Sequence, residues 1–393
     1  MLSPTAGIAS PGRIEPPRSG SVSFTTGDDE LFTFGGYAEI ESAAGTPPDR
    51  FVVNDLWKFV TYQESSSAWG WTKIDQNNGF IPGPRLATAM AVLPSQKSAV
   101  LLGGWDPQEP GTGGVILDDV SLLDVGTLKW TQPATEEDDG EAVRVPGGPT
   151  SRHIAVSVCI DNNLDGKGNA EAILLHNHRC VEHVLLLSLS GGGRSGQWKH
   201  QQTTGDVPSS RGLHCAAQLN DSKSDRSNSI VIFGGATKDG SMSNEAFVLD
   251  LNTWKWTKLV CSGNQPSPRA GACLCPLNEN TVILFGGAEF KDGGLVGLND
   301  VWSLTVNSEK GTGTWKRLIE NQSADGNNVD GTFPFGRNAA TLTRMNAHSS
   351  LPNDVLKKYP SGDEDDVHFL LQGGWYPFRK TFNDVFVLRV KRD

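Results

Sequence analysis

The chain has 393 residues and a formal net charge of −11, from 45 acidic and 34 basic residues. That balance argues against a nucleic-acid or anionic-membrane surface, where a basic stripe must displace counterions. No apolar run approaches the ~20 residues that span a bilayer, and the N-terminus lacks the basic flank and apolar core of a secretory signal. In chain order, the first readable element is a short strand at Ser21 to Phe24, opened by Pro17-Arg18-Ser19-Gly20. An apolar run ending in paired glycines follows at 31–36, then Asn54-Asp55-Leu56-Trp57, then Trp71. The second unit repeats this order with Arg85, Val100 to Gly104, Asp118-Asp119 and Trp130. The third has Arg152, then Ala172 to Asn177 with His176-Asn177 where the glycines belong, then Glu182-His183 and Trp198. Arg211, Ile230 to Gly235, Asn244-Glu245 and Trp256 make the fourth, and Arg269, Val282 to Gly287, Asn299-Asp300 and Trp315 the fifth. The sixth runs from Arg337 through His368 to Gly374 and Asn383-Asp384, and stops without a tryptophan.

Successive arginines stand 67, 67, 59, 58 and 68 residues apart, and the tryptophans keep the same beat. No window holds a 3.6-residue apolar period long enough for a helix of structural weight. Periods above fifty with four short strand signals each belong to propeller blades rather than to helical solenoids. The fold class is therefore all-β: six four-stranded antiparallel blades at about 17–78, 85–133, 152–203, 211–262, 269–321 and 337–393. A single blade cannot bury both its faces, so all six must stack into one domain. The incomplete last unit needs a fourth strand, and residues 1–16 lie where one belongs. About Thr5 to Ile14 is expected to pair there and close the ring, removing two exposed edges; the alternative is a disordered tail.

A strand ending in Gly-Gly, a spaced aromatic and then Trp resembles the kelch family, over roughly residue 17 to the end. The resemblance implies a six-bladed kelch-type β-propeller closed by its N-terminal segment. Antiparallel order puts the segments after Gly-Gly and the segments before each first strand on one face, around the central channel. Loops on a rigid scaffold are where function is usually placed. Arg18, Ser19, Arg85, Arg152, Arg211, Arg269 and Arg337 are expected on that face. Guanidinium forks match carboxylates bidentately, and kelch adaptors of ubiquitin ligases use arginines and serines there. The competing reading has each arginine bridging blades through carbonyls or the Asn-Asp pair. Trp105, and Trp375 and Tyr376 beside Arg379, give the aromatic-plus-arginine composition of an interface anchor; they could instead fold back on their own loops.

His176, His178 and His183, near Cys180, are a weak metal candidate, because same-side neighbours in a strand lie ~7 Å apart. Acidic runs at Glu136 to Asp139 and Asp363 to Asp366 read as solvated loops. The six cysteines show no framework spacing and read as buried free thiols. No catalytic residue and no cofactor is indicated. The leading expectation is a non-catalytic protein-interaction module, a scaffold, adaptor or regulatory subunit, binding a protein partner, with no nucleic acid and no membrane. A monomer in the cytoplasm, or the nucleus, is expected. The alternative is a small-ligand or carbohydrate-active propeller such as a sugar mutarotase.

Overall fold

The computed structural model describes residues 3–5, 16–26, 30–40, 46, 48–61, 69–76, 79–93, 95, 97–108, 113–136, 140–161, 169–220, 227–320, 333–345 and 366–391. Every named element among them is a strand. Six sheets, each with four antiparallel strands at its centre, follow one another along the chain; sheets 3, 4 and 5 add a short fifth strand, Ala134–Thr135, Thr204–Gly205 and Val260–Ser262, paired parallel at the outer edge. Sheet 1 comprises Val22–Thr25, Leu31–Ile40, Asp49–Thr61 and Trp69–Lys73. Sheet 2 comprises Ala89–Val92, Ser98–Asp106, Val115–Asp124 and Lys129–Thr131. Ile154–Asp161, Asn169–His176, His183–Ser190 and Ser195–Gln202 form sheet 3. Cys215–Asn220, Ser227–Phe233, Ala246–Asp250 and Lys255–Lys258 form sheet 4. Sheet 5 holds Cys273–Pro276, Thr281–Lys291, Gly294–Asn307 and Thr312–Ile319. In sheet 6, Thr341–Met345, Asp366–Gln372 and Val385–Lys391 are joined by Ser3–Thr5, which pairs antiparallel with Val387 to Arg389. Most of the segment expected to pair there, Thr5 to Ile14, lies outside the described residues.

Apolar residues on the second strands point both ways because each sheet has a neighbour on either face. The core accordingly divides into six clusters, one at each seam. Phe34 packs on Trp130 between sheets 1 and 2, and Leu102 lies near Ile173 and Trp198 between sheets 2 and 3. Leu174 shares a cluster with Trp256, Phe233 meets Trp315 edge-on, and Leu370 joins Leu31 and Trp71 across sheets 6 and 1. Tryptophans thus fill wedges, each removing ~150–250 Å² from water. The seam between sheets 5 and 6 has no such tryptophan; Phe285, Phe369 and Phe386 fill it.

Around the axis, six residues with positive φ are linked head to tail by main-chain hydrogen bonds. Gly20, Ala87, Arg152, Leu213, Gly271 and Ala339 have φ between 50° and 66°. Each N–H donates to the carbonyl of the one before it, at 2.8–3.1 Å, and the cycle returns when Gly20 N–H donates to Ala339 O. Four of the six carry a Cβ, at a cost of about 1–2 kcal/mol each in this conformation; the cyclic bonds satisfy main-chain groups that would otherwise be unpaired at the centre.

The paired glycines do not end the second strands of sheets 1, 2 and 5. A register shift falls there, at Phe34/Gly36, Leu102/Gly104 and Phe285/Gly287, and pairing then resumes. Beyond it, Tyr37 pairs with Val52, Trp105 with Ile116, and Phe290 with Leu295. Segments read from the sequence as loops are therefore largely two-stranded ribbons. The bulge admits only glycine: a Cβ on Gly103, at φ +49°, would lie 2.5 Å from Thr150 O.

Candidate functional site

Five of the repeat arginines lie beneath the channel-mouth face. Arg18, Arg85, Arg211, Arg269 and Arg337 are all at most 2% exposed. Each guanidinium donates to the carbonyl of the first repeat glycine in its own sheet: Gly35, Gly103, Gly234, Gly286 and Gly373. Each also meets an acid on the third strand or one residue before it. Arg85 holds Asp119 at 2.7 and 2.9 Å, Arg269 holds Asp300 at 2.6 and 3.0 Å, and Arg211 holds Glu245 at 2.9 Å. Arg18 and Arg337 fork onto Asp55 and Asp384. A buried guanidinium held by an acid and a main-chain carbonyl of its own sheet is not offered to a partner, so the expectation of an arginine-lined mouth is corrected for these five in favour of the competing reading. Ser19 is buried with them, at 7% exposure.

Arg152 differs because the third unit is offset by two residues. In four other units the arginine carbonyl accepts from the second glycine of the preceding sheet, as in Gly36 N–H to Arg85 O at 2.8 Å; here Gly104 N–H donates to Thr150 O at 2.9 Å. Thr150 therefore stands at the arginine position, and Arg152 falls on the axial ring with its side chain exposed. It forms no ion pair with any described residue.

Arg152 borders a cleft of about 490 Å³ over sheets 2, 3 and 4, walled by Trp105, Ile116, His178, Leu213 and Lys238. Among the described residues no acidic side chain lines it, although the chain as a whole carries −11. Trp105 is half-buried and donates Nε1–H to Gly113 O at 3.1 Å, which fixes its ring in the wall. Across the mouth, Trp375 and Tyr376 sit on a hairpin of their own, pairing with Thr381 and Lys380. Trp375 meets Phe378 edge-on at 5.3 Å and Arg379 lies 5.4 Å over the Tyr376 ring, so these side chains do fold partly onto their own loop. Phe378 nevertheless remains 77% exposed. Of the ten large exposed apolar residues among those described, Ile40, Phe51, Val115, Ile116, Val181, Phe290, Phe335 and Phe378 all belong to mouth-face segments, which marks this face as the sticky one.

The three histidine candidates do not converge. His176 is buried with Nδ1 3.0 Å from His214 Nε2, His178 is exposed in the cleft wall, and His183 lies against His200. Among the described residues no group of three or more His, Cys, Asp or Glu could hold a metal ion. Burial lowers the pKa of His153 to about 4 and of His176 to about 3, and drives that of His214 well down. All six cysteines are free thiols. Burial pushes Cys180 up to about 11 and Cys273 and Cys275 to about 12, far from nucleophilic thiolates. The acidic runs lie mostly outside the described residues, at 137–139 and 363–365.

Residues 176–347 match the KLHDC2/KLHL20/DRC7 Kelch-repeats domain. Kelch domain-containing protein 2 of Bos taurus is 34% identical over 90 residues, 23% of this chain and 20% of that protein. Dynein regulatory complex subunit 7 of Chlamydomonas reinhardtii is 32% identical over 91 residues, 23% of this chain and 7% of that protein. Acyl-CoA-binding domain-containing protein 4 of Arabidopsis thaliana is 25% identical over 217 residues, 55% of this chain and 29% of its own length. The match thus spans less than a third of each relative. The solved structure of YjhT superposes with a TM-score of 0.49 at 18% identity, covering 76% of this chain and 84% of that one.

Proposed function

This chain carries kelch repeats in an all-β propeller-type fold, and from that premise we propose that it is a non-catalytic interaction module receiving an acidic protein segment in the cleft over sheets 2 to 4. The observation that carries the reading is charge: among the described residues Arg152 and Lys238 are unpaired and no acid lines the cleft, in a strongly acidic chain. Unpaired cations beside a fixed aromatic and exposed apolar side chains favour a peptide with carboxylates next to an apolar anchor. Dynein regulatory complex subunit 7 is named as part of an assembly, which suits a partner-binding role here. A cleft of about 490 Å³ also falls within the ~300–1,000 Å³ of small-ligand sites, so a sugar or metabolite stacked on Trp105 is the second reading.

The test is fluorescence anisotropy with a set of acidic peptides and their Asp→Asn, Glu→Gln counterparts, on wild type and an Arg152→Glu/Lys238→Glu variant of equal melting temperature. Preference for the acidic members, weakened at least tenfold in the variant and by added salt, supports the reading. Equal binding of acidic and neutral peptides overturns it. A melting-temperature rise with simple sugars, lost on Trp105→Ala, would favour the small-ligand reading.

A further inference from the structure

His183 opens the third strand of sheet 3 opposite Gln202, and His200 on the fourth strand faces Leu185. The two histidines are therefore diagonal neighbours on the same side of one antiparallel hairpin, within reach of each other. Their ring centroids stand 4.8 Å apart, with the planes tilted by 32°. His200 is exposed and His183 half-buried, and neither ring nitrogen pair bonds to a described residue.

The position of His183 in the repeat explains why it is available. In the other five sheets this position is the acid that clamps the buried arginine: Asp55, Asp119, Glu245, Asp300 and Asp384. Sheet 3 has Thr150 in place of that arginine, so residue 183 has no clamp to form, and an imidazole stands there instead.

Geometry then suggests what the pair can hold. With metal–nitrogen bonds of about 2.0–2.1 Å, imidazole centroids lie roughly 3.2 Å from a shared ion. Angles of about 90–109° at the ion then separate the centroids by roughly 4.5–5.2 Å, from square to tetrahedral coordination. The observed 4.8 Å falls inside that window. We propose that His183 and His200 form a two-imidazole site for a borderline divalent ion, zinc or copper(II), on the outer hairpin of sheet 3. Gln202, the residue directly across from His183 in the register, is the nearest candidate to add an amide oxygen donor, and water completes the shell. Imidazole is a preferred ligand for both ions.

The experiment is calorimetric titration of zinc, and separately copper(II), into chelator-treated full-length chain. It compares wild type with His183→Gln, His200→Gln and His178→Gln. One saturable equivalent in wild type, weakened at least tenfold by either of the first two changes and untouched by His178→Gln, is the expected result. No saturable uptake, or uptake that survives both substitutions, overturns the proposal. Metal-free melting temperatures are compared first; should the half-buried His183 variant be destabilised, the exposed His200→Gln variant decides alone.

Discussion

At Arg269 five donor hydrogens meet five acceptors. Nε–H donates to Ser267 O, one terminal nitrogen to Gly286 O and Asp300 Oδ1, and the other to Ser267 Oγ and Asp300 Oδ2. That is the full donor capacity of a guanidinium, and it is what makes a 1% exposed cation tolerable. Arg269→Ala should therefore leave Asp300, itself 4% exposed, without its counter-charge, and cost about 3–5 kcal/mol in urea unfolding. Arg152→Ala, changing an exposed side chain with no partner, should stay within ~0.5 kcal/mol. An Arg269→Ala loss no larger than that of Arg152→Ala would show the clamps to be ornamental. The beat of arginine and acid was legible in the sequence, and their pairing was its competing reading; the residues alone do not choose between the two, because both residue types also suit an exposed recognition face. The deciding signal lay in the third unit, where the arginine register slips and His183 replaces the acid together. Paired loss of two residues is the mark of a contact between them.

The ribbons rise from bulges whose chemistry is indistinguishable, in a sequence, from that of a turn. Paired glycine suits a backbone of positive φ, and Gly103 and Gly104 have φ of 49° and 115°. What the residues alone do not say is that pairing resumes on the far side, since a left-handed glycine serves a bulge and a strand end equally well. Trp105 is consequently a strand residue held in a cleft wall, not a loop tip. Gly103→Ala should destabilise by about 1–3 kcal/mol, because its Cβ would meet Thr150 O at 2.5 Å and Leu117 O at 2.9 Å in a backbone conformation that alanine disfavours. Gly240→Ala is the matched control: φ is also positive, at 84°, but nothing lies within 4 Å of the added carbon. The comparison isolates collision from conformation. Equal melting-temperature losses in the two variants would mean that the bulge has slack and the close approach to Thr150 carries no energy.

The molecule is held by its seams, and two of them contain histidine. His153 donates through Nε2 to Leu102 O at 3.1 Å, across the seam of sheets 2 and 3, while His176 and His214 face each other at 3.0 Å across that of sheets 3 and 4. One proton serves the second pair; a second would bring two N–H groups head to head in an apolar wedge beside Trp256 and near Arg211. Folded-state pKa values of about 4 and about 3 for His153 and His176, against about 6.5 in the unfolded chain, mean that below pH 6.5 the unfolded state binds more protons. Stability should thus be level above pH 7 and fall as pH drops below 6.5, by up to about 1.4 kcal/mol per pH unit for each such histidine. Carboxylates enter later: Glu245, held at about 2 chiefly by Lys258 and then Arg211, contributes stability that is lost only as pH falls below about 4.5. Between pH 6.5 and 5 the histidines act almost alone. Urea midpoints at pH 7.5, 6.5, 5.5 and 5.0 should decline across that interval, and His153→Gln, which retains a donor for Leu102, should flatten part of the slope. A midpoint unchanged down to pH 5 would mean that the buried imidazoles are either already charged or reached by water, and that the seams of sheet 3 are not closed as described.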